Sequence, residues 1–260
     1  MNIRRLKLVY FSPTGTSKKT AEAVANGVRI VYDRVDLTPP DAGRHRFEAD
    51  ELAIIAAPVY GGRIPTTAAE RLRRLEADGT PAVVVAVYGN RAYEDALLEL
   101  RDVAVERGFK PVAGAAFIGE HSYDTPEMPI ATGRPDEADL EKAEEFGAKV
   151  KAKLDGLTRI PELAVPGNRP YRERRAGEPR SPETDPDTCI LCGMCARVCP
   201  TGVVTVSDVV ETEKAGCISC TACVKNCPTE ARHWEDEGVK RAAVWLHANY
   251  SARREPDVFL

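Results

Sequence analysis

Through residues 1–156, short apolar runs alternate with longer stretches of mixed polarity. Residues 6–11, 29–37, 52–57, 82–87 and 112–118 read as strands, rich in aliphatic and aromatic side chains. The runs at 52–57 and 82–87 are apolar without interruption, the pattern of strands covered on both faces of a parallel sheet. Between them, residues 21–27, 67–77, 93–107 and 135–154 carry helical patterns. Thr67-Ala-Ala-Glu70 predicts a capping box, and Pro135 is placed to open the last helix. Five strands alternating with helices predict a right-handed, doubly wound α/β domain, whose ligands bind at the carboxyl ends of the strands.

The pattern changes after residue 156. Residues 157–186 hold Pro161, Pro166, Pro170, Pro179, Pro182 and Pro186 together with Arg169, Arg172, Arg174, Arg175 and Arg180. Such a stretch is a stiff linker, with arginines available to pair with an acidic face of the domain that follows. Residues 203–213 suggest a hairpin. Residues 237–260 form a tail in which Ala242, Trp245, Leu246 and Tyr250 have helical spacing. Trp234, just before the tail, and Trp245, Phe259 and Leu260 within it are candidate core or docking residues.

All eight cysteines lie in residues 187–236, in one pattern written twice. Cys189, Cys192, Cys195 and Cys199 precede Pro200; Cys217, Cys220, Cys223 and Cys227 precede Pro228, each 28 positions on. Ile190/Ile218 and Thr201/Thr229 repeat as well. This C-x2-C-x2-C-x3-C-P spacing is the bacterial two-cluster ferredoxin run, in which the fourth cysteine of each copy ligates the other cluster. Soft thiolates suit iron–sulfur clusters. One [4Fe-4S] cluster is thus assigned to Cys189, Cys192, Cys195 and Cys227, the other to Cys217, Cys220, Cys223 and Cys199. Two zinc sites would rarely need three cysteines so close together.

Charge narrows the partners. The chain carries a formal net charge of -4 before any cluster is counted. Two clusters with their thiolates, at about -2 each, make it more acidic. That argues against nucleic acid and favours redox proteins presenting basic surfaces. No apolar run is long enough to span a membrane, and the first residues read as a strand rather than a signal peptide. A cytoplasmic protein with reduced cysteines is expected.

The loops at the strand ends carry the remaining chemistry. After the first strand, the hydroxyls of Ser12, Thr14, Thr16 and Ser17 surround a helix amino terminus, with Gly15 supplying backbone freedom: a phosphate cradle. Lys18 and Lys19 in the first helical turn oppose the helix dipole and make better sense beside a phosphate. Residues 10–21 resemble the phosphate loop of the flavodoxins, with Ser17 where their usual last threonine stands. The loops Pro58-Val59-Tyr60-Gly61-Gly62-Arg63 and Tyr88-Gly89-Asn90-Arg91-Ala92-Tyr93 agree with that resemblance. It implies a flavodoxin-like five-stranded parallel sheet binding FMN, with the isoalloxazine ring between these loops. Tyr60 and Tyr93 are then stacking candidates, with Tyr88 and Tyr123 behind them. Gly61 and Gly62 would lie near flavin N5, Gly89 and Asn90 at the pyrimidine edge, and Arg63 and Arg91 within electrostatic reach. Residues 119–135, long and without regular pattern, are placed to cover the flavin or meet the ferredoxin region, with His121 as a candidate ring contact.

The whole chain resembles flavodoxin–ferredoxin fusion proteins, a flavodoxin-like domain followed by a small α+β 2[4Fe-4S] domain. The resemblance implies electron transfer between FMN and the clusters, coupling one-electron carriers to a two-electron partner. An FMN-dependent reductase acting directly on a small substrate is the alternative, with a redox-sensing module behind it.

Overall fold

The computed structural model describes every residue except Asn2, Arg175 and Ala176. In chain order the first part comprises β1 (Arg5–Tyr10), α1 (Thr16–Val28), β2 (Tyr32–Asp36), β3 (His45–Phe47), β4 (Glu51–Pro58), α2 (Thr66–Leu72), β5 (Leu75–Ala77), β6 (Pro81–Tyr88), α3 (Ala96–Glu106), β7 (Lys110–Ile118) and α4 (Glu137–Gly156). The second part comprises β8 (Glu183–Thr184), α5 (Met194–Arg197), β9 (Val204–Val206), β10 (Val210–Thr212), α6 (Ala222–Lys225), β11 (Arg232–His233), α7 (Glu237–Tyr250) and β12 (Asp257–Phe259).

The main sheet runs β12-β7-β6-β4-β1-β2. Its five parallel strands follow the order 2-1-3-4-5 of the flavodoxin-like doubly wound fold. Every residue of β4 and β6 is buried, as their uninterrupted apolar runs require. Each Val, Leu or Ile so removed from water contributes roughly 1.5–3 kcal/mol. One face packs on α1 and α4 through Val24, Val28, Phe146 and Val150; the other packs on α2 and α3 through Leu72, Leu97, Leu100 and Val103.

Three expectations change. The sheet has a sixth strand, because β12 of the tail pairs antiparallel with β7, placing Phe259 opposite Gly114. The tail is therefore a helix and a strand. Its Trp245 is half exposed, while Val239, Ala243 and Leu246 make the buried face of α7. The capping box at Thr67 does not form: α2 begins one residue earlier, behind Pro65, and ends at Leu72, so that Leu75–Ala77 pairs with His45–Phe47 in a small parallel ladder. A box does form at α4, where Asp136 and Asp139 cap each other's backbone N–H.

The linker is extended, but its arginines turn to the larger domain. Arg169 pairs with Asp102, Arg174 with Glu99 and Arg172 with Glu94, all on α3 or the loop before it. The main-chain N–H of Arg172 and of Asn168 donate to Asp95. Of these arginines, Arg180 alone among the described residues bonds to the ferredoxin region, at Asp236; Arg175 lies outside the described residues. Acidic side chains gathered on α3 explain this preference. Among the described residues no helix is long and apolar enough to cross a membrane.

Candidate functional site

At the carboxyl end of the sheet lies a cavity of ≈ 200 Å³. Thr14 and Thr16 line it from the first loop, Pro58, Val59, Tyr60 and Gly61 from the second, and Tyr88 and Gly89 from the third. Residues 119–123 close one side, and Ile218 and Ser219 close another. Those last two residues stand between Cys217 and Cys220, so the cysteine motif itself forms part of the wall.

The first loop fits a phosphate. Gly15 is left-handed, at φ 85°, and open space surrounds the position of an added Cβ. The first-turn N–H groups of α1 have no carbonyl of their own helix to bond. Ser12 accepts from the N–H of Lys18 at 3.0 Å, bracing the loop. Ser17 is fully buried, yet its hydroxyl has no partner among the described residues, a combination that calls for an acceptor from outside the chain. Ser12, Gly15 and Ser17 thus shape the cradle from behind while Thr14 and Thr16 face the cavity. Lys18 sits over the Tyr10 ring at 5.9 Å, and Lys19 donates to the carbonyl of Pro135, so neither is given over to the cradle.

In the second loop, Gly61 and Gly62 are both left-handed (φ 59° and 83°), and Tyr60 and Arg63 bond across them. Two successive positive φ values are what a tight primed turn needs, and glycine adopts them without strain. The turn projects Tyr60 into the cavity with Ser122 beside its hydroxyl. Burial, reinforced by the thiol of Cys220, pushes that phenol well above its ordinary range. Arg63 turns away. It forks onto Glu99 at 2.7 and 2.8 Å and stacks over Tyr171 at 4.4 Å. Arg91 pairs with Glu94. Neither arginine is among the residues that line the cavity.

The third loop corrects two further expectations. Asn90, fully buried at φ 61°, donates its side-chain amide to the carbonyls of Tyr250 (2.5 Å) and Ala252 (2.8 Å). Tyr93 donates to Asp257 at 2.9 Å and packs on Tyr88. Both side chains hold the tail. Tyr88 and Gly89 remain at the cavity, with Tyr123 opposite. Tyr123 meets Trp234 edge-on at 6.0 Å, with Ser219 beside its hydroxyl. Ile218 and Ser219 were not foreseen as cavity residues, whereas Ser122 lies in the 119–135 segment expected there. The only sequence signal was the repeat itself: Ile190 is 63% exposed, whereas its counterpart Ile218 is half buried in the wall.

The 28-residue repeat extends to the backbone. Left-handed residues recur at Leu191/Ser219, Gly193/Thr221 and Gly202/Glu230. Hydrogen bonds recur too: Arg197 N–H to Gly193 matches Lys225 N–H to Thr221, and Cys199 N–H to Ala196 matches Cys227 N–H to Val224. No disulfide forms. Cys199, Cys217, Cys220 and Cys223 line one small void, and among the described residues no group of three or more His, Cys, Asp or Glu side chains is gathered to hold a single metal ion. Burial pushes the Cys220 thiol up to about 12. Burial also acts on Cys199 and Cys227. There it is outweighed by bonds from nearby backbone N–H groups and from Thr201 or Thr229, leaving both thiols below their ordinary value. In the other copy Cys192 is exposed, Cys189 is half-buried and Cys195 is buried.

The two parts lock together around this wall. Arg71 donates to the carbonyl of Pro200 at 2.5 Å and to that of Leu37 at 2.8 Å, and Lys225 pairs with Glu120.

Two models described as 4Fe-4S binding domains match the chain, over residues 182–205 and 214–230. No curated protein matches it. Among solved structures it is similar to a flavodoxin from Streptococcus pneumonia TIGR4, at 23% identity and TM-score 0.40 over 57% of this chain and 99% of that one. A flavodoxin from the domain Archaea aligns at 14% and 0.39, over 58% and 99%. The rubredoxin oxygen:oxidoreductase of Desulfovibrio gigas aligns at 15% and 0.37, over 58% and 37%. The fold assignment rests on strand order rather than on these likenesses. The chain joins a flavodoxin-like α/β domain to a 4Fe-4S-binding ferredoxin region, a combination suited to electron transfer.

Proposed function

We propose that the chain is an iron–sulfur flavoprotein that moves electrons between FMN in the cavity and two [4Fe-4S] clusters. Residues 1–156 form the flavin domain, 157–186 the linker, 187–236 the ferredoxin domain and 237–260 the docking tail. One observation carries the reading: Ile218 and Ser219, between two cluster cysteines, are walls of the cavity. When bound, FMN exchanges one or two electrons and each cluster exchanges one, which lets one-electron carriers serve a two-electron partner.

The chain's own residues bind, orient and screen. Thr14, Thr16 and the amides at the start of α1 hold the phosphate, and the orphaned Ser17 hydroxyl behind the loop is a further donor for it. Tyr60, Tyr88 and Tyr123 supply aromatic walls for the ring, and Gly61 and Gly89 let backbone approach it. Cys217, Cys220, Cys223 and Cys199 hold the cluster next to the cavity; Cys189, Cys192, Cys195 and Cys227 hold the other nearer solvent. Partners that exchange electrons there would present basic surfaces, as the acidic chain favours.

A second reading has an observation of its own. A groove lined by Arg91, Arg172, Arg174 and Trp245 shares Tyr60, Gly61 and Ile218 with the cavity, and would suit a small anionic substrate reduced directly. Anaerobic reconstitution, with a flavin assay and iron and sulfide counts, tests both. Failure to retain FMN would sink both readings, and fewer than about eight irons would sink the two-cluster assignment. Anion-dependent turnover by the isolated protein would favour the second reading over the first.

A further inference from the structure

Arg232 breaks the symmetry of the ferredoxin region. Its counterpart 28 residues earlier is Val204, an apolar residue buried against Cys195, Cys199 and Cys223. The second copy places a guanidinium at that position, 3% exposed. It lines the void of Cys199, Cys217, Cys220 and Cys223, and its Nη2 donates to the sulfur of Cys223 at 3.7 Å. Thr184 and Thr212 accept from the same guanidinium at 2.7 and 3.0 Å, fixing its direction. Among the described residues its buried Nε has no partner and no carboxylate pairs with the guanidinium. A buried cation without a counter-ion is strongly unfavourable, so the site calls for negative charge in the void. A thiolate-bound cluster supplies it.

Building on the two-cluster reading above, we propose that Arg232 raises the reduction potential of the cluster held by Cys199, Cys217, Cys220 and Cys223 above that of its twin. Reduction takes a cluster with its thiolates from about -2 to about -3, and a nearby fixed cation favours the more negative state. The cation's field also reaches Cys195 of the other set, but its hydrogen bond reaches Cys223. An electron passing from the cluster of Cys189, Cys192, Cys195 and Cys227 to the cluster beside the cavity would oxidise the first and reduce the second by one, with no proton or further reagent. Between the two clusters, the electron then rests beside the cavity wall.

An EPR-monitored redox titration of the reconstituted full chain tests this. Two resolved potentials are expected in the native protein. Arg232→Gln should weaken reduction of the upper one at least tenfold, about 59 mV for one electron, and move the other less. Arg232→Lys, which keeps charge but not the fork, should fall between. Unchanged potentials, or equal shifts in both clusters, would overturn the assignment. If Arg232→Gln loses iron, Arg232→Lys decides: an intermediate upper potential supports the proposal, and iron loss there too reduces Arg232 to a structural role. Native protein holding fewer than about eight irons would fail the two-cluster reading instead.

Discussion

Asn90 donates its side-chain amide to the carbonyl of Ala252, 162 residues on, at 2.8 Å. The residue sits on a cavity loop, yet its bonds tie the carboxyl-terminal tail to the end of the sheet. Replacing it with alanine removes two acceptors' partners in a buried setting, a loss of about 1–3 kcal/mol. Asn90→Ala should lower the urea midpoint and speed hydrogen exchange over residues 250–259, with FMN affinity within about twofold of native. A large loss of FMN affinity with the tail still protected would return Asn90 to the flavin.

Ser17→Ala separates folding from binding. Its buried hydroxyl lacks a partner among the described residues, so the flavin-free chain should be as stable without it, or more stable by up to about 1 kcal/mol. FMN should bind roughly tenfold more weakly, the worth of one charge-assisted hydrogen bond, while riboflavin, lacking the phosphate, should bind equally to both proteins. Fluorescence titration with the two ligands reads the difference.

Glu99 holds the linker. It accepts both nitrogens of the Arg63 fork, a bond from Arg174 and the N–H of Ile64, and is itself buried. Glu99→Ala leaves Arg63 without its counter-ion, at a cost of about 3–5 kcal/mol. Proteolysis near residues 165–180 should accelerate in step with the fall in unfolding midpoint. An unchanged cleavage rate would mean that the linker is held elsewhere.

His121 gives the flavin-free chain a pH dependence. Burial, aided by the positive charges of Lys225 and Arg91, pushes its imidazole down to about 4. In the unfolded chain it titrates near about 6.5. Between those values the unfolded chain binds more protons, so stability rises with pH; the contribution is complete above about 6.5 and is lost as pH falls towards 4. Unfolding at several pH values should show a slope in that window worth about 1–3 kcal/mol, absent in His121→Phe. Equal slopes in both proteins would place His121 in solvent.

Much of this architecture was legible in the sequence where local pattern and burial agree. The runs at 52–57 and 82–87 became β4 and β6 because only a fully covered strand tolerates continuous apolar residues. Cys199, Cys217, Cys220 and Cys223 line one void, the grouping that the ligand exchange proposed from the cysteine spacing would use. What was not legible depends on distant chain. Asp257-Val258-Phe259 has no strand signal of its own and is a strand only because β7 offers an open edge. Asn90 and Tyr93 are drawn to the tail by partners near residues 250–257, which their loop sequence does not announce. Arg232 was missed because arginine is ordinarily exposed, and its burial becomes sensible only once the void beside it is seen.

The central claim is that the flavin cavity and the loop from Cys217 to Cys220 form one site within a single chain. Anaerobic stopped-flow on the reconstituted protein tests it most directly: the flavin is reduced rapidly, and the cluster absorbance is followed over a range of protein concentrations. Cluster reduction should proceed at a rate independent of concentration, as transfer within one molecule requires. A rate that scales with protein concentration, or a cluster that stays oxidised while the flavin is reduced, would contradict it.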